Sequence, residues 1–164
     1  MTKRTKQQDN NDLHSLLLLK PINYPVYSTE EYHNFTLSEL EKQVHPLMAS
    51  RCYTARLIGQ QKSLVLQGGG NCSVKITSCN VFEEESCYLG IKGSGFNLDT
   101  IVPKGFPLVH LPNLLKLSCL NTLDDESMVN AFRCNLLCST DPTPSVETLL
   151  HALLPSTSVD HFFL

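Results

Sequence analysis

Three short segments carry residue types that suit binding an anion and moving a proton. They are Gly68-Gly69-Gly70-Asn71-Cys72-Ser73, Lys92-Gly93-Ser94-Gly95 and Pro144-Ser145-Val146-Glu147. Glycine lets backbone N–H groups approach a phosphate without a side chain in the way, and hydroxyl groups add further donors. Glu147 adds a carboxylate, and His161 follows as a candidate metal ligand. Together these residues indicate a site for an anionic substrate.

Each of these features also has an ordinary structural explanation. Three glycines in a row can be a flexible connection between strands, and Glu147 in a first helical turn is a favourable partner of the helix dipole. His151 lies one helical turn after Glu147, which is a spacing that also suits a metal. A single histidine on a helix is nevertheless more often a surface or core residue. No one segment defines a function by itself.

Composition excludes several classes of protein. The chain has 164 residues, of which 41% are hydrophobic, which is enough for one compact domain with a core. Its net charge of −3 favours neither nucleic acid nor a membrane surface as a partner. Seven cysteines without a CxxC pair indicate free thiols in a reducing compartment. No run approaches the ~20 apolar residues of a membrane span, so we expect a cytoplasmic protein.

The elements that must position these residues are helices and strands in mixed order. We expect residues 1–35 to form a disordered or irregular N-terminal extension, and the capping box Thr36-Leu37-Ser38-Glu39 predicts a helix from Thr36 towards Gly59. Pro46 is expected to kink this helix or split it in two. The remaining predictions are strands over residues 73–77, 87–91 and 108–111, the first two antiparallel, and helices over 112–120, 123–138 and 145–154.

In their order, the three segments and His161 resemble the class II aldolases, a family that includes the adducin head domain. In particular, they are similar to the aldolase half of bacterial proteins that join a rhamnulose-phosphate-aldolase-type domain to a short-chain dehydrogenase. The likeness runs from about Leu47 to His161 and includes Leu64 to Lys75, Ile91 to Leu98, Asp141 to Pro155 and Val159 to His161. It implies an α/β (α+β) fold of three layers, α/β/α, around a mostly antiparallel sheet. Residues 36–164 would then be the N-terminal part of such a domain, truncated before its end.

The resemblance also implies a chemistry, which is retro-aldol cleavage of a ketose phosphate with a divalent metal, usually zinc, held by three histidines. The metal polarises the substrate carbonyl, and a glutamate exchanges the proton on carbon. By motif position Glu147 would be this acid/base, and His161 would be the first histidine of a His-x-His metal pair. The residues that would bind the phosphate are Gly70, Asn71, Ser94, Gly95 and Ser145.

The metal site is where the sequence departs from the family pattern. Phe163 occupies the place of the second histidine, and the third would lie in a part of the domain that we expect to be absent. His151 is the one nearby substitute, although its helix could direct it elsewhere. We therefore expect a lyase lineage that is inactive as this chain, with a non-catalytic, adducin-like binding or scaffold module as the alternative. The expected partner is a phosphorylated sugar or similar small anion, and a homo-oligomer is allowed because family sites lie near subunit interfaces.

Overall fold

Five α-helices and a four-stranded sheet form the fold, in a computed structural model that describes residues 27–66 and 68–162. The helices and strands alternate irregularly along the chain, and two short 3₁₀ turns, Leu98–Thr100 and Pro103–Gly105, lie between the second and third strands. In chain order the elements are α1 (Thr29–Glu41), α2 (Pro46–Gln60), β1 (Asn71–Cys79), β2 (Glu85–Ile91), β3 (Leu108–His110), α3 (Leu111–Leu117), α4 (Asp125–Cys134), α5 (Thr148–Leu153) and β4 (Ser158–His161).

The sheet has the strand order β3-β2-β1-β4, and every neighbouring pair is antiparallel. Successive side chains of a strand point to opposite faces of a sheet. Tyr88 belongs to a core cluster with α2, whereas its neighbour Leu89 belongs to a second cluster with α3, α4 and α5. Helices therefore cover both faces of the sheet, which confirms the predicted three-layer α/β/α architecture with an antiparallel centre.

The N-terminal helices depart from the prediction. The capping box at Thr36 does not start a helix, because α1 already begins at Thr29 with Ser28 as its N-cap, whose hydroxyl accepts from the Glu31 amide. The part of the predicted irregular extension from Thr29 onward is thus helical, and residues 1–26 lie outside the described residues. Pro46 splits the predicted long helix in two, since it is the first residue of α2, where its missing N–H costs nothing.

Helix α2 packs on the sheet through residues spaced three and four apart. Met48, Cys52 and Ala55 are buried in the cluster that includes β1. Gly59 brings the end of α2 against the backbone of the 3₁₀ turn at Leu98–Thr100, where a side chain would not fit. This packing orders the loop that follows β2, and that loop carries the Lys92-Gly93-Ser94-Gly95 segment.

The other predicted elements are present with shifted ends. The strand pair over residues 73–77 and 87–91 is β1 and β2, and the later helices are shorter than predicted. Strand β4 was not predicted. Among the described residues, no helix has the length and apolar character required to cross a membrane.

Candidate functional site

The pairing of β1 with β4 brings Asn71 and His161 side by side. Asn71 is opposite His161, and Ser73 is opposite Val159. Alternation along β1 places Asn71 and Ser73 on the same face of the sheet, away from Cys72 and Val74, which join the α2 cluster. This is the face that α5 covers, since His151 of α5 contacts Ser73.

The second and third sequence segments meet through backbone contacts. Gly93 and Pro144 form an antiparallel bridge, and the Ser94 amide donates to the Thr143 carbonyl at 2.9 Å. Gly95 has a φ of +83° and Gly70 a φ of +67°, which are backbone conformations that favour glycine. These two turns and the start of α5 therefore close around one cavity.

That cavity, called the anion pocket below, has a volume of about 170 Å³. It contains all five residues predicted to bind phosphate, together with Glu147. Its lining residues are Gly68, Gly69, Gly70, Asn71, Lys92, Ser94, Gly95, Ser145, Val146 and Glu147. The five residues therefore lie around one cavity, while their phosphate-binding role stays a prediction.

Glu147 stands between the anion pocket and the two histidines. It is the N-cap residue of α5, so the predicted helix begins at Thr148 and not directly after Ser145. The Asn71 amide nitrogen donates to Glu147 Oε2 at 2.6 Å, while Oε1 lies 3.5 Å from His161 Nδ1. Asn71 Oδ1 in turn accepts from the Cys72 amide at 2.9 Å, which fixes the amide orientation. One carboxylate oxygen is thereby held in place and the other faces the histidine.

His151 is directed into this cluster and not elsewhere. Glu147, His151 and His161 each offer one ligand atom, and these three atoms lie within 4.8 Å of one another. His151 is fully buried, and its Nδ1 lies 2.8 Å from the Ser73 hydroxyl. Its Nε2 is buried without a hydrogen-bond partner. Burial lowers the pKa of His151 to about 4, so the imidazole is neutral near pH 7.

Lys92 is a pocket residue whose role the sequence analysis did not recognise. It is only 4% exposed, and its Nζ donates to the Phe96 carbonyl at 2.9 Å, which holds the turn that contains Ser94 and Gly95. Burial lowers the pKa of the Lys92 ammonium. Lys92 is the only cation among the described residues that line the anion pocket. The one sequence feature that could have indicated this role was the position of Lys92 next to Gly93-Ser94-Gly95.

An ion pair on the opposite face of the sheet supports β4. Asp160 points away from His161 because neighbouring residues of a strand alternate between faces. There it pairs with Arg51 of α2, whose side chain is 4% exposed. Arg51 is the second residue near the site that the sequence analysis did not single out.

Comparison with known proteins identifies the domain. No protein-family model matches the chain. It is 36% identical over 124 residues to a Bacillus subtilis protein described as the uncharacterized oxidoreductase YuxG, a match that covers 76% of this chain and 17% of that protein. It is also similar to a solved structure, the N-terminal class II aldolase domain of a conserved protein from Thermoplasma acidophilum. The identity is 38% and the TM-score 0.68, with 70% of this chain and 54% of that chain covered.

The fold is that of a class II aldolase domain. The chain belongs to the class II aldolase family. It spans about half the length of the Thermoplasma structure and about a sixth of the length of the Bacillus protein.

Proposed function

We propose that the chain is the substrate-binding and proton-transferring part of a class II aldolase-type lyase that cleaves a sugar phosphate. The observation that carries this proposal is the position of Glu147. One of its oxygens is fixed by Asn71 in the anion pocket, and the other faces His161 in the histidine cluster. A carboxylate between an anion site and a metal-ligand cluster is suitably placed to move a proton on a bound phosphorylated substrate.

The pocket would hold the phosphate through hydroxyl and backbone groups. Ser94 and Ser145 offer hydroxyls, while Gly70 and Gly95 leave the backbone accessible. Lys92 contributes a fixed positive charge, which offsets the cost of bringing a phosphate next to the carboxylate of Glu147. The ligand class is therefore a small anion with a phosphate group.

The metal that the family uses would be held on the histidine side of Glu147. Of the residues matched to the family's ligands, His161 is present and Phe163 replaces the second histidine. The buried, unpartnered Nε2 of His151 beside His161 supports a cation site at this point, because it is a donor atom that suits a metal. A divalent metal bound there would polarise the carbonyl group of the substrate. Glu147 would deliver or accept the proton at the adjacent carbon.

Phosphate binding is tested with inorganic phosphate and a ketose 1-phosphate by calorimetry. We expect Lys92→Met to weaken binding at least about tenfold, because a single buried charge–phosphate contact contributes more than about 1.4 kcal/mol. The matched control is Lys62→Met, since Lys62 is an exposed lysine that pairs with Asp99 outside the pocket. Equal loss in both variants, or no saturable binding by the unaltered chain, would count against the anion pocket.

Cleavage separates the lyase from the second candidate, a non-catalytic binding module. The observation that favours the module is Phe163 at the position of a family ligand, which is also why we expect this chain alone to be inactive. Aldehyde release that needs added zinc and is abolished in Glu147→Gln would establish the lyase. Saturable phosphate binding with no cleavage at saturating zinc would establish the module. The seven free cysteines support our further proposal of a cytoplasmic location.

A further inference from the structure

We infer that His151 is a metal ligand, so that Glu147, His151 and His161 together hold one divalent transition metal. This inference rests on the proposed function, because it assigns the ligands of the metal on which that function depends. Glu147 would be a ligand only in the substrate-free chain, and its carboxylate would act as the acid/base of the proposed function once substrate is bound. It departs from the ligand set that the resemblance implies, in which three histidines outside α5 bind the metal. Here a residue of α5 takes the place that Phe163 cannot fill.

The first argument is that one ring nitrogen of His151 lacks a hydrogen-bond partner. Its side chain is fully buried, and Nε2 has no hydrogen-bond partner. An unsatisfied buried polar group costs about 1–3 kcal/mol, so its presence calls for an explanation. A metal ion bound by Nε2 would satisfy this atom without any change of the helix.

The second argument is the hydrogen bond at the other ring nitrogen. His151 Nδ1 lies 2.8 Å from Ser73 Oγ, which can accept a hydrogen bond from Nδ1–H in the tautomer that leaves the lone pair on Nε2. Metal-bound histidines usually donate their other ring N–H to such a second group, which fixes both tautomer and orientation. Glu147 has an equivalent support, since its Oε2 accepts from Asn71. His151 and Glu147 are therefore both held in place before a metal binds.

The third argument is the size of the cluster. The ligand atoms lie within 4.8 Å of one another, and Glu147 Oε1 is 3.5 Å from His161 Nδ1. Two ligands of a tetrahedral zinc, each at about 2.0–2.1 Å from the metal, lie about 3.3–3.5 Å apart. Small side-chain movements would therefore bring the three ligand atoms to the separations found in a tetrahedral zinc site. Two imidazoles and one carboxylate suit zinc or a similar transition metal better than Mg²⁺ or Ca²⁺, and they leave a position open for a substrate oxygen.

Zinc affinity in the variants tests the assignment. Competition with a chromophoric chelator gives the affinity of the unaltered chain, and elemental analysis gives its stoichiometry, expected to be one zinc per chain. We expect His151→Gln and His161→Gln each to weaken zinc binding by about 100-fold or more, because each removes a direct ligand, whereas loss of an outer-shell partner costs 10- to 100-fold. The control, His33→Gln, changes an exposed histidine of α1 and should leave affinity unchanged.

Nitrogen NMR of the unaltered chain keeps the inference testable if His151→Gln does not fold. In a long-range ¹H–¹⁵N experiment, added zinc should shift His151 Nε2 while Nδ1 stays protonated. Zinc binding that needs His161 but leaves the His151 nitrogens and the His151→Gln affinity unchanged would overturn the inference and leave the proposed function standing. An unaltered chain that binds no zinc would overturn both the inference and the metal-dependent part of the proposed function.

Discussion

Asn71→Asp tests the contact at the centre of the site. The substitution keeps the shape of the side chain but places a second carboxylate against Glu147, whose Oε2 lies 2.6 Å from Asn71 Nδ2. Asn71 is 1% exposed, so the new charge cannot turn to solvent. Two like charges about 4 Å apart repel by about 4 kcal/mol at an effective dielectric constant of about 20. That repulsion corresponds to a rise of about 3 units in the pKa of the introduced carboxyl, from about 4 to about 7.

The sign of the pH dependence follows from proton binding. A carboxyl whose pKa is raised by folding holds its proton more tightly in the folded state, so stability is lost as pH rises from about 4 to about 7. Relative to the unaltered chain, we expect the variant to lose about 4 kcal/mol of unfolding free energy at pH 8 and about 1.4 kcal/mol at pH 5 from this repulsion. Urea unfolding with a chelator present measures both values.

Asn71→Ala is the control, since it removes the contact with Glu147 without adding a charge, and it also removes the acceptor of the Cys72 amide, which aspartate would keep. We expect it to cost about 1–3 kcal/mol at both pH values, because the Cys72 amide loses its partner in either case. If Asn71→Asp lost the same free energy at pH 5 as at pH 8, Asn71 and Glu147 would not be in contact, and the reasoning that joins the pocket to the cluster would be refuted.

Two further predictions concern packing and thiol chemistry. Gly59→Ala should lower the unfolding free energy by more than about 2 kcal/mol, because the added methyl group overlaps the Asp99 backbone, while the exposed Gln60→Ala should change it by less than about 0.5 kcal/mol. Thermal unfolding of both variants checks this, and equal stabilities would contradict the packing of α2. Burial raises the pKa of Cys52 to about 11 and that of Cys72 to about 12, so at pH 8 about one Cys52 thiol in 1000 is a thiolate. Thiol labelling at pH 8 should modify the exposed cysteines and spare these two until urea is added, and prompt labelling of either would show that it is accessible.

The sequence predicted the centre of the fold better than its margins. The alternation of apolar and polar residues around Val74 and Ile76 predicted β1. The apolar side chains of that strand pack on α2, and the polar side chains between them face the other side of the sheet. Strand β4 has only four residues, and it exists as a strand because β1 pairs with it, which local periodicity cannot report. The start of α1 was misplaced because Ser28 provides a hydroxyl cap and its backbone contacts the Tyr53 hydroxyl, an interaction that lies far outside the local window.

The candidate site was predictable in its residue types but not in its complete set. The anion pocket followed from three segments whose glycines and hydroxyls indicate the same ligand. His151 could not be assigned from its spacing to Glu147, because an i, i+4 pair on a helix says nothing about which strand it faces. Only the position of α5 over Ser73 and His161 decides that His151 joins the cluster. Lys92 lay in one of the three segments but was given no role of its own, because a lysine in a loop ordinarily extends into solvent.

The register of β1 with β4 determines whether the pocket and the cluster share Glu147. A slip of one residue would move His161 to the α2 face and Asp160 to the α5 face, since side chains alternate along a strand. Such a slip would leave the buried guanidinium of Arg51 without Asp160, and an unpaired buried charge costs a few kcal/mol. The ion pair need not add net stability to the observed fold. It favours this register because the slipped register would lose the pair and leave Arg51 buried without a partner. Arg51, on the far side of the sheet from the pocket, therefore helps to fix which way His161 points.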